Sequence, residues 1–274
     1  MLAIPCKIDI IESFSCSKSG DESKNEDGLF ANSHFVCVVD GATSKTDTLF
    51  QGKTGGQILK ETILQSMQEL TGKENHIEVI RFLQKRILMA KNKYQIEFAT
   101  ASLVIFSSYY SELWFIGDCQ ARMNSKTICI KHRIDHVLAE ARSLAIRDLL
   151  FRGYTIEQLQ EHDLGRDAIL PFLKMQRYFE NIEDKYGYCV LNTDESIKEP
   201  ENLVTGYPVC KSTEIILASD GYPSLKNTLD ESEKALFRLL RSDPLLYKNH
   251  PATTGLLKGN ISFDDRTYIR FFVR

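Results

Sequence analysis

Five short acidic motifs recur along the chain, each beside an apolar run: Asn25-Glu26-Asp27-Gly28, Val39-Asp40-Gly41-Ala42, Ile116-Gly117-Asp118, Ala218-Ser219-Asp220-Gly221 and Phe263-Asp264-Asp265-Arg266. A strand that ends in Asp-Gly puts a carboxylate at the rim of its sheet, and the glycine lets a ligand or other backbone come close. One Asp-Gly alone is an ordinary turn. Five acidic rims together make an oxygen donor set without clustered His or Cys, which suits hard divalent cations such as Mg²⁺ or Mn²⁺. Two such ions about 4 Å apart can clamp a phosphate and acidify a water between them.

Other chemistries have weaker support. Gly52-Lys53-Thr54 matches only the end of a phosphate-binding P-loop, because Asp47 stands where the first glycine is required. His132 and His136 have the i, i+4 spacing of a helical zinc pair, but Arg133 occupies the place of the needed Glu and no third ligand is evident, so they read as two partly exposed histidines. None of the seven cysteines has an arginine six positions later, which closes the cysteine-nucleophile route to phosphate chemistry.

The elements that must position these motifs follow from the apolar pattern. Strands are expected over residues 7–14 and 34–39, with a polar loop over 15–27 between them. Two amphipathic helices follow. The first opens at Gly55-Gly56 and carries Ile58, Leu59, Ile63, Leu64, Met67 and Leu70 on one face; the second carries Ile77, Ile80, Leu83, Ile87 and Leu88. Strand formers then dominate at 102–107, 112–116, 120–123 and 127–130, as in a meander of hairpins. Helix is expected over 134–178, strands at 186–191, 203–209 and 214–218, a helix at 229–240, and a buried last strand at 266–273. This order is α+β rather than a regular βαβ alternation. With no linker or composition break, residues 1–274 read as one domain.

Bulk properties exclude several function classes. Lys plus Arg number 34 against 37 Asp plus Glu, a formal charge of -3, so no basic field points to nucleic acid or an anionic membrane. No apolar window approaches the length of a membrane span, and the first residues lack the pattern of a signal peptide. Seven cysteines without a CxxC pair fit reduced thiols, and a cytoplasmic location is expected.

At the five motifs the sequence resembles the metal-dependent (PPM, type 2C) serine/threonine protein phosphatases, whose acidic motifs occur in this order. Ala99-Thr100-Ala101-Ser102 is similar to that family's small-residue strand start, and the Gly55-Gly56 helix opening falls where its first long helix begins. The resemblance spans about residues 25–272. It implies a four-layer α-β-β-α sandwich of two antiparallel sheets flanked by helices, with a binuclear metal site at one end. Carried over, Asp40 bridges two Mn²⁺ or Mg²⁺ ions; the Gly41 carbonyl and Glu26 serve one ion, and Asp220 and Asp264 the other. Asp27 orients the attacking water, and Asp118 with Asp220 holds a third, weaker ion. The implied activity is hydrolysis of a phosphomonoester, with a phosphoserine or phosphothreonine protein as the implied substrate and a small phosphomonoester as the other candidate.

Two positions depart from the resemblance. Ala42 stands where those enzymes usually have the His that protonates the leaving alkoxide. Glu22 stands where they often have a phosphate-binding Arg, leaving Lys24 and Arg266, with Lys18 and Lys45 behind them, as replacement phosphate ligands. These departures motivate an alternative reading, a phosphatase-like binding or regulatory module with weak or no catalysis. The stretch between Asp118 and Asp220 is the expected place for substrate contacts, or else a face that caps the core.

Overall fold

Why β3 (Phe35–Thr43) and β4 (Ala99–Ser107) are apolar on both faces is plain from where their side chains go. Phe35, Cys37, Val39, Leu103 and Ile105 pack toward helices, while Val36, Val38, Val104 and Phe106 pack toward a second sheet. A strand buried on both faces has no polar alternation. A computed structural model of the chain describes residues 5–43, 48–124, 126–194 and 204–274.

One sheet runs in the order β2 (Asp27–Ala31), β3, β4, β5 (Glu112–Ile116) and β9 (Thr205–Pro208), with β8 (Leu191–Asn192) paired to the end of β4. The other runs β1 (Ile8–Cys16), β11 (Arg266–Val273), β10 (Thr213–Ala218), β6 (Gln120–Met123) and β7 (Lys126–Cys129). Neighbouring strands in both sheets are antiparallel. The inner faces share one core, to which β10 and β11 contribute Ile215, Leu217, Ile269 and Phe271. Helices α1 (Gly55–Met67) and α2 (His76–Tyr94) cover the first sheet through Leu59, Ile63, Ile80 and Leu83. Helix α6 (Leu229–Ser242) covers the second through Leu236 and Leu240, against Ile216 and Tyr268. The four-layer sandwich expected from the motifs is the observed architecture.

Three local readings differ. β2 lies within a segment with no strand expectation beyond Asp27; it is short, and its side chains become buried only once β3 pairs with it. The single helical stretch over 134–178 is three helices, α3 (Arg133–Phe151), α4 (Ile156–Glu161) and α5 (Leu164–Met175). Gly153, at φ +96°, ends the first, and Thr155 and Asp163 cap the next two. Of the strand expected at 186–191 only Leu191 joins the sheet, while Tyr188 bridges Glu180 as the chain before it folds back on residues 179–181. The first residue of the strand expected at 203–209 and the phosphate candidate Lys45 lie outside the described residues. All seven cysteines are unpaired, and among the described residues no helix is long and apolar enough to cross a membrane.

Candidate metal centre

The N-terminus of α1 holds the first acidic motif. Thr54 and Gln57 form a capping box, the Thr54 hydroxyl donates to Glu26 Oε1 at 2.6 Å, and Lys60 Nζ donates to the Asn25 carbonyl at 2.6 Å. Glycine is required where α1 meets the motif. A Cβ on Gly56 would lie 2.5 Å from Glu26 Oε1 and 2.9 Å from the Gly41 carbonyl carbon. The Gly41 amide in turn donates to the Glu26 carbonyl at 3.1 Å. Strand register then sets Asp27 directly across from Asp40.

The last two motifs lock together in the same way. The carbonyl of Asp265 lies against the Cα of Gly221, leaving no room for a side chain there. Asp265 is buried, and its carboxylate accepts from the amides of Lys18 and Glu26, each at 2.8 Å. This acid ties the C-terminal motif to the N-terminal one across more than two hundred residues. Sequence reasoning did not single it out, although the Asp-Asp doublet was in view.

The result is a convergence of carboxylates. Asp40, Asp118, Asp220 and Asp264 all line one cleft of about 1260 Å³. Burial pushes Asp40 well above the usual carboxylate range, and the charges of Asp27, Asp220, Asp118 and Asp264 push in the same direction. Asp220 opens toward the cleft, but the protein packed around its carboxyl raises it too, as do Asp118 and Asp264, while a hydrogen bond with Asp40 opposes the shift. Asp27 is raised by burial despite a hydrogen bond with Ser219, and its Oδ2 is buried without a hydrogen-bond partner. Carboxylates gathered at such a cost, one with an orphaned oxygen, form a site that a divalent cation would neutralise. The all-oxygen donor set fits Mn²⁺ or Mg²⁺. Asp40 and Asp220, which chance turns on an unrelated fold would leave apart, line the same cleft.

The phosphate candidates fare differently. Arg266 has a side chain only 3% exposed, and its guanidinium donates to both oxygens of Glu233, at 2.8 and 3.0 Å. It is ion-paired to α6 and does not line the cleft. Lys24 is exposed beside Asp21 and does not line the cleft. Glu22 accepts from the Ser17 amide and from Asn25, so it fixes the loop. Lys18 reaches the carboxylates, with Nζ 3.0 Å from Asp264 Oδ1 and 3.9 Å from Asp265 Oδ1. The charge of Asp264 raises its pKa strongly against the opposing effect of burial. Only the folded β1 loop makes this contact, so nothing in the sequence near Lys18 marks it.

Helices α3 and α5 supply one wall of the cleft, where His136, Ala139, Pro171 and Leu173 face it. The segment expected to offer either substrate contacts or a core cap forms a small core of Ile134, Leu138, Ile169 and Leu173 and also lines the cleft. Of the two histidines considered for zinc, His136 is exposed and His132 is buried.

Glu180, in the same wall, is 8% exposed. Burial raises its pKa to about 7, against hydrogen bonds from Asn192 and Tyr188 that lower it. Its folded pKa lies above the ordinary glutamate value of 4.5, so its contribution to stability is complete below about 4.5 and is lost as the pH rises through 7. Glu180→Gln should match wild type in urea unfolding near pH 4.5 and exceed it at pH 8, by at most about 3 kcal/mol. A stability difference independent of pH would contradict this.

No protein-family model matches the sequence, and no curated protein matches it. Solved structures do match. The serine/threonine phosphatase PstP/Ppp of Mycobacterium tuberculosis superposes with a TM-score of 0.52 at 12% identity, covering 99% of this chain and 100% of that one. Stp1, a serine/threonine phosphatase from Staphylococcus aureus, gives 0.51 at 12% identity over 100% and 97% of the two chains. The PPM Ser-Thr phosphatase MsPP of Mycobacterium smegmatis gives 0.50 at 10% identity over 97% and 100%. The two antiparallel sheets and their flanking helices thus make up, over nearly the whole chain, the fold of the PPM serine/threonine phosphatases.

Proposed function

We propose that the chain is a metal-dependent phosphomonoester hydrolase. The observation that carries this reading is the meeting of Asp40, Asp118, Asp220 and Asp264 in one cleft, where burial and one another's charges raise Asp40 and Asp220. Asp40 would bridge two Mn²⁺ or Mg²⁺ ions, with Glu26 and the Gly41 carbonyl on one and Asp220 and Asp264 on the other. Such ions, when bound, supply Lewis acidity and lower the pKa of water. Asp27, rigid between β3 and Ser219, would orient the attacking water through its unpartnered Oδ2. Lys18 holds an oxygen of Asp264 that the second cation needs, so the second ion should bind more weakly than the first.

The substrate class favoured is a phosphoserine or phosphothreonine protein in the cytoplasm, with small phosphomonoesters as the other candidates. Lys131, Lys174 and Arg177 line the cleft and suit an anionic peptide chain. Ala42 cannot donate a proton, and a general acid typically contributes about 10²- to 10⁴-fold. The reading therefore expects an aryl phosphate, whose leaving group needs little protonation, to be cleaved at least about 10²-fold faster than a phosphoserine peptide. The assay is Mn²⁺-dependent phosphate release from both substrates. Absence of release from either one with any divalent cation would sink the proposal. It would leave the second reading, a phosphatase-like binding module, which Ala42 and the Lys18 contact to Asp264 favour.

A further inference from the structure

One group of metal-ligating side chains in the cleft includes a nitrogen donor. His132 Nδ1 is 3.2 Å from Asp135 Oδ2 and 3.8 Å from Asp118 Oδ2, and one donor atom from each residue falls within 4.8 Å of the others. An ion bound at about 2.0–2.2 Å places adjacent donors about 3 Å apart and opposite ones about 4 Å apart. The His132 nitrogen already stands at that spacing from both carboxylates.

The bland account of the pair His132 and Asp135 is helix capping, since they occupy the N-cap and third positions of α3. The geometry does not support it: the His132 side chain makes no capping hydrogen bond to the helix. The imidazole is 5% exposed, packs on the Tyr188 ring at 4.7 Å and turns Nδ1 to the two carboxylates. Its Nε2 is buried without a hydrogen-bond partner. Gln176 Nε2 donates to the other oxygen of Asp135, which fixes that carboxylate as a supporting contact fixes a metal ligand. Asp118 and Asp135 are partly exposed and give an ion a route in from the cleft.

We infer that Asp118, His132 and Asp135 form a mixed nitrogen and oxygen site for a transition-metal ion. It differs from the all-oxygen position that the resemblance gives Asp118 together with Asp220. An imidazole donor selects Zn²⁺, Co²⁺ or Mn²⁺ over Mg²⁺ and Ca²⁺. The inference is independent of the binuclear reading, whose ligands carry no nitrogen.

That difference gives the test. Pulsed EPR of the Mn²⁺-loaded chain should show hyperfine coupling to a coordinated imidazole nitrogen, in wild type and equally in Asp40→Asn. His132→Gln should lose the coupling while still binding Mn²⁺ at the oxygen ligands. Asp135→Asn keeps the imidazole and should weaken the nitrogen-coupled ion about tenfold or more, which serves should His132→Gln fail to fold. A spectrum without nitrogen coupling in wild type, or coupling unchanged in His132→Gln or in Asp135→Asn, would overturn the inference. Loss of the oxygen-bound ions in Asp40→Asn with the nitrogen coupling retained would support this site whatever the fate of the binuclear reading in activity assays.

Discussion

Asp40→Asn is expected to abolish most hydrolysis while making the metal-free protein more stable. Asp40 is raised by burial and by four neighbouring carboxylates, so in the absence of cations the folded state disfavours its charge. A group raised on folding contributes stability at low pH that is lost as the pH climbs through its folded value, and at neutral pH this loss weighs on the fold. Asparagine keeps the shape and one hydrogen-bonding oxygen but cannot ionise. In thermal melts without divalent cations at pH 7–8, the variant should gain about 3 °C or more, since 1 kcal/mol corresponds to roughly 2–4 °C in domains of 150–250 residues. With Mn²⁺ at about a hundred times its Kd, wild type should gain about 2.7 kcal/mol and the variant much less. Turnover should fall by about 10²- to 10³-fold or more. A metal-free melt unchanged or lowered in Asp40→Asn would show that the carboxylates are not in mutual conflict. The opposed signs matter because a purely structural role for Asp40 predicts loss of both activity and stability.

The largest stability effect should come from a residue remote from the carboxylates. Arg142 on α3 is fully buried, and its guanidinium donates to Asp163 and to the carbonyls of Leu245, at 2.8 Å, and Ala252, at 3.0 Å. Asp163 is itself the N-cap of α5, accepting from the Arg166 amide at 2.9 Å. One side chain thus joins α3, the start of α5 and the irregular segment carrying Leu245 to Ala252, which reaches the cleft at His250. Arg142→Leu leaves a buried carboxylate without its cation and two carbonyls without a donor, and should cost about 3–5 kcal/mol in denaturant unfolding. Adding Asp163→Asn should recover a sizeable part of that, because the uncompensated charge is what makes the single change severe. If the two changes were simply additive, the pair would not be coupled as described.

The sequence made some of this architecture legible and hid other parts for physical reasons. Strands buried on both faces, such as β3 and β4, announce themselves as continuous apolar runs, and the acids at their ends could be read as rim groups. The close packing of Gly41 on Gly56 was foreshadowed by two glycine signals that sequence alone could not join. What could not be read are contacts made only by the folded chain. Lys18 and Asp265 meet across 247 residues, and no local pattern near either one records it. Arg266 looked free to bind phosphate until α6 supplied Glu233. β2 was missed because its burial comes from its partner strand rather than from its own composition, and α3 to α5 merged because one apolar stripe runs on across two caps.

The central claim, that Glu26, Asp40, Asp220 and Asp264 from four separate motifs form one binuclear cation site, is tested most directly by anomalous diffraction from crystals of the chain soaked in Mn²⁺. Two anomalous peaks about 4 Å apart are predicted, with Asp40 between them, Glu26 and the Gly41 carbonyl beside one, and Asp220 and Asp264 beside the other. The Lys18 ammonium should have withdrawn from Asp264. Well-diffracting crystals with no peak at Asp40, and with Lys18 still bound to Asp264, would contradict it.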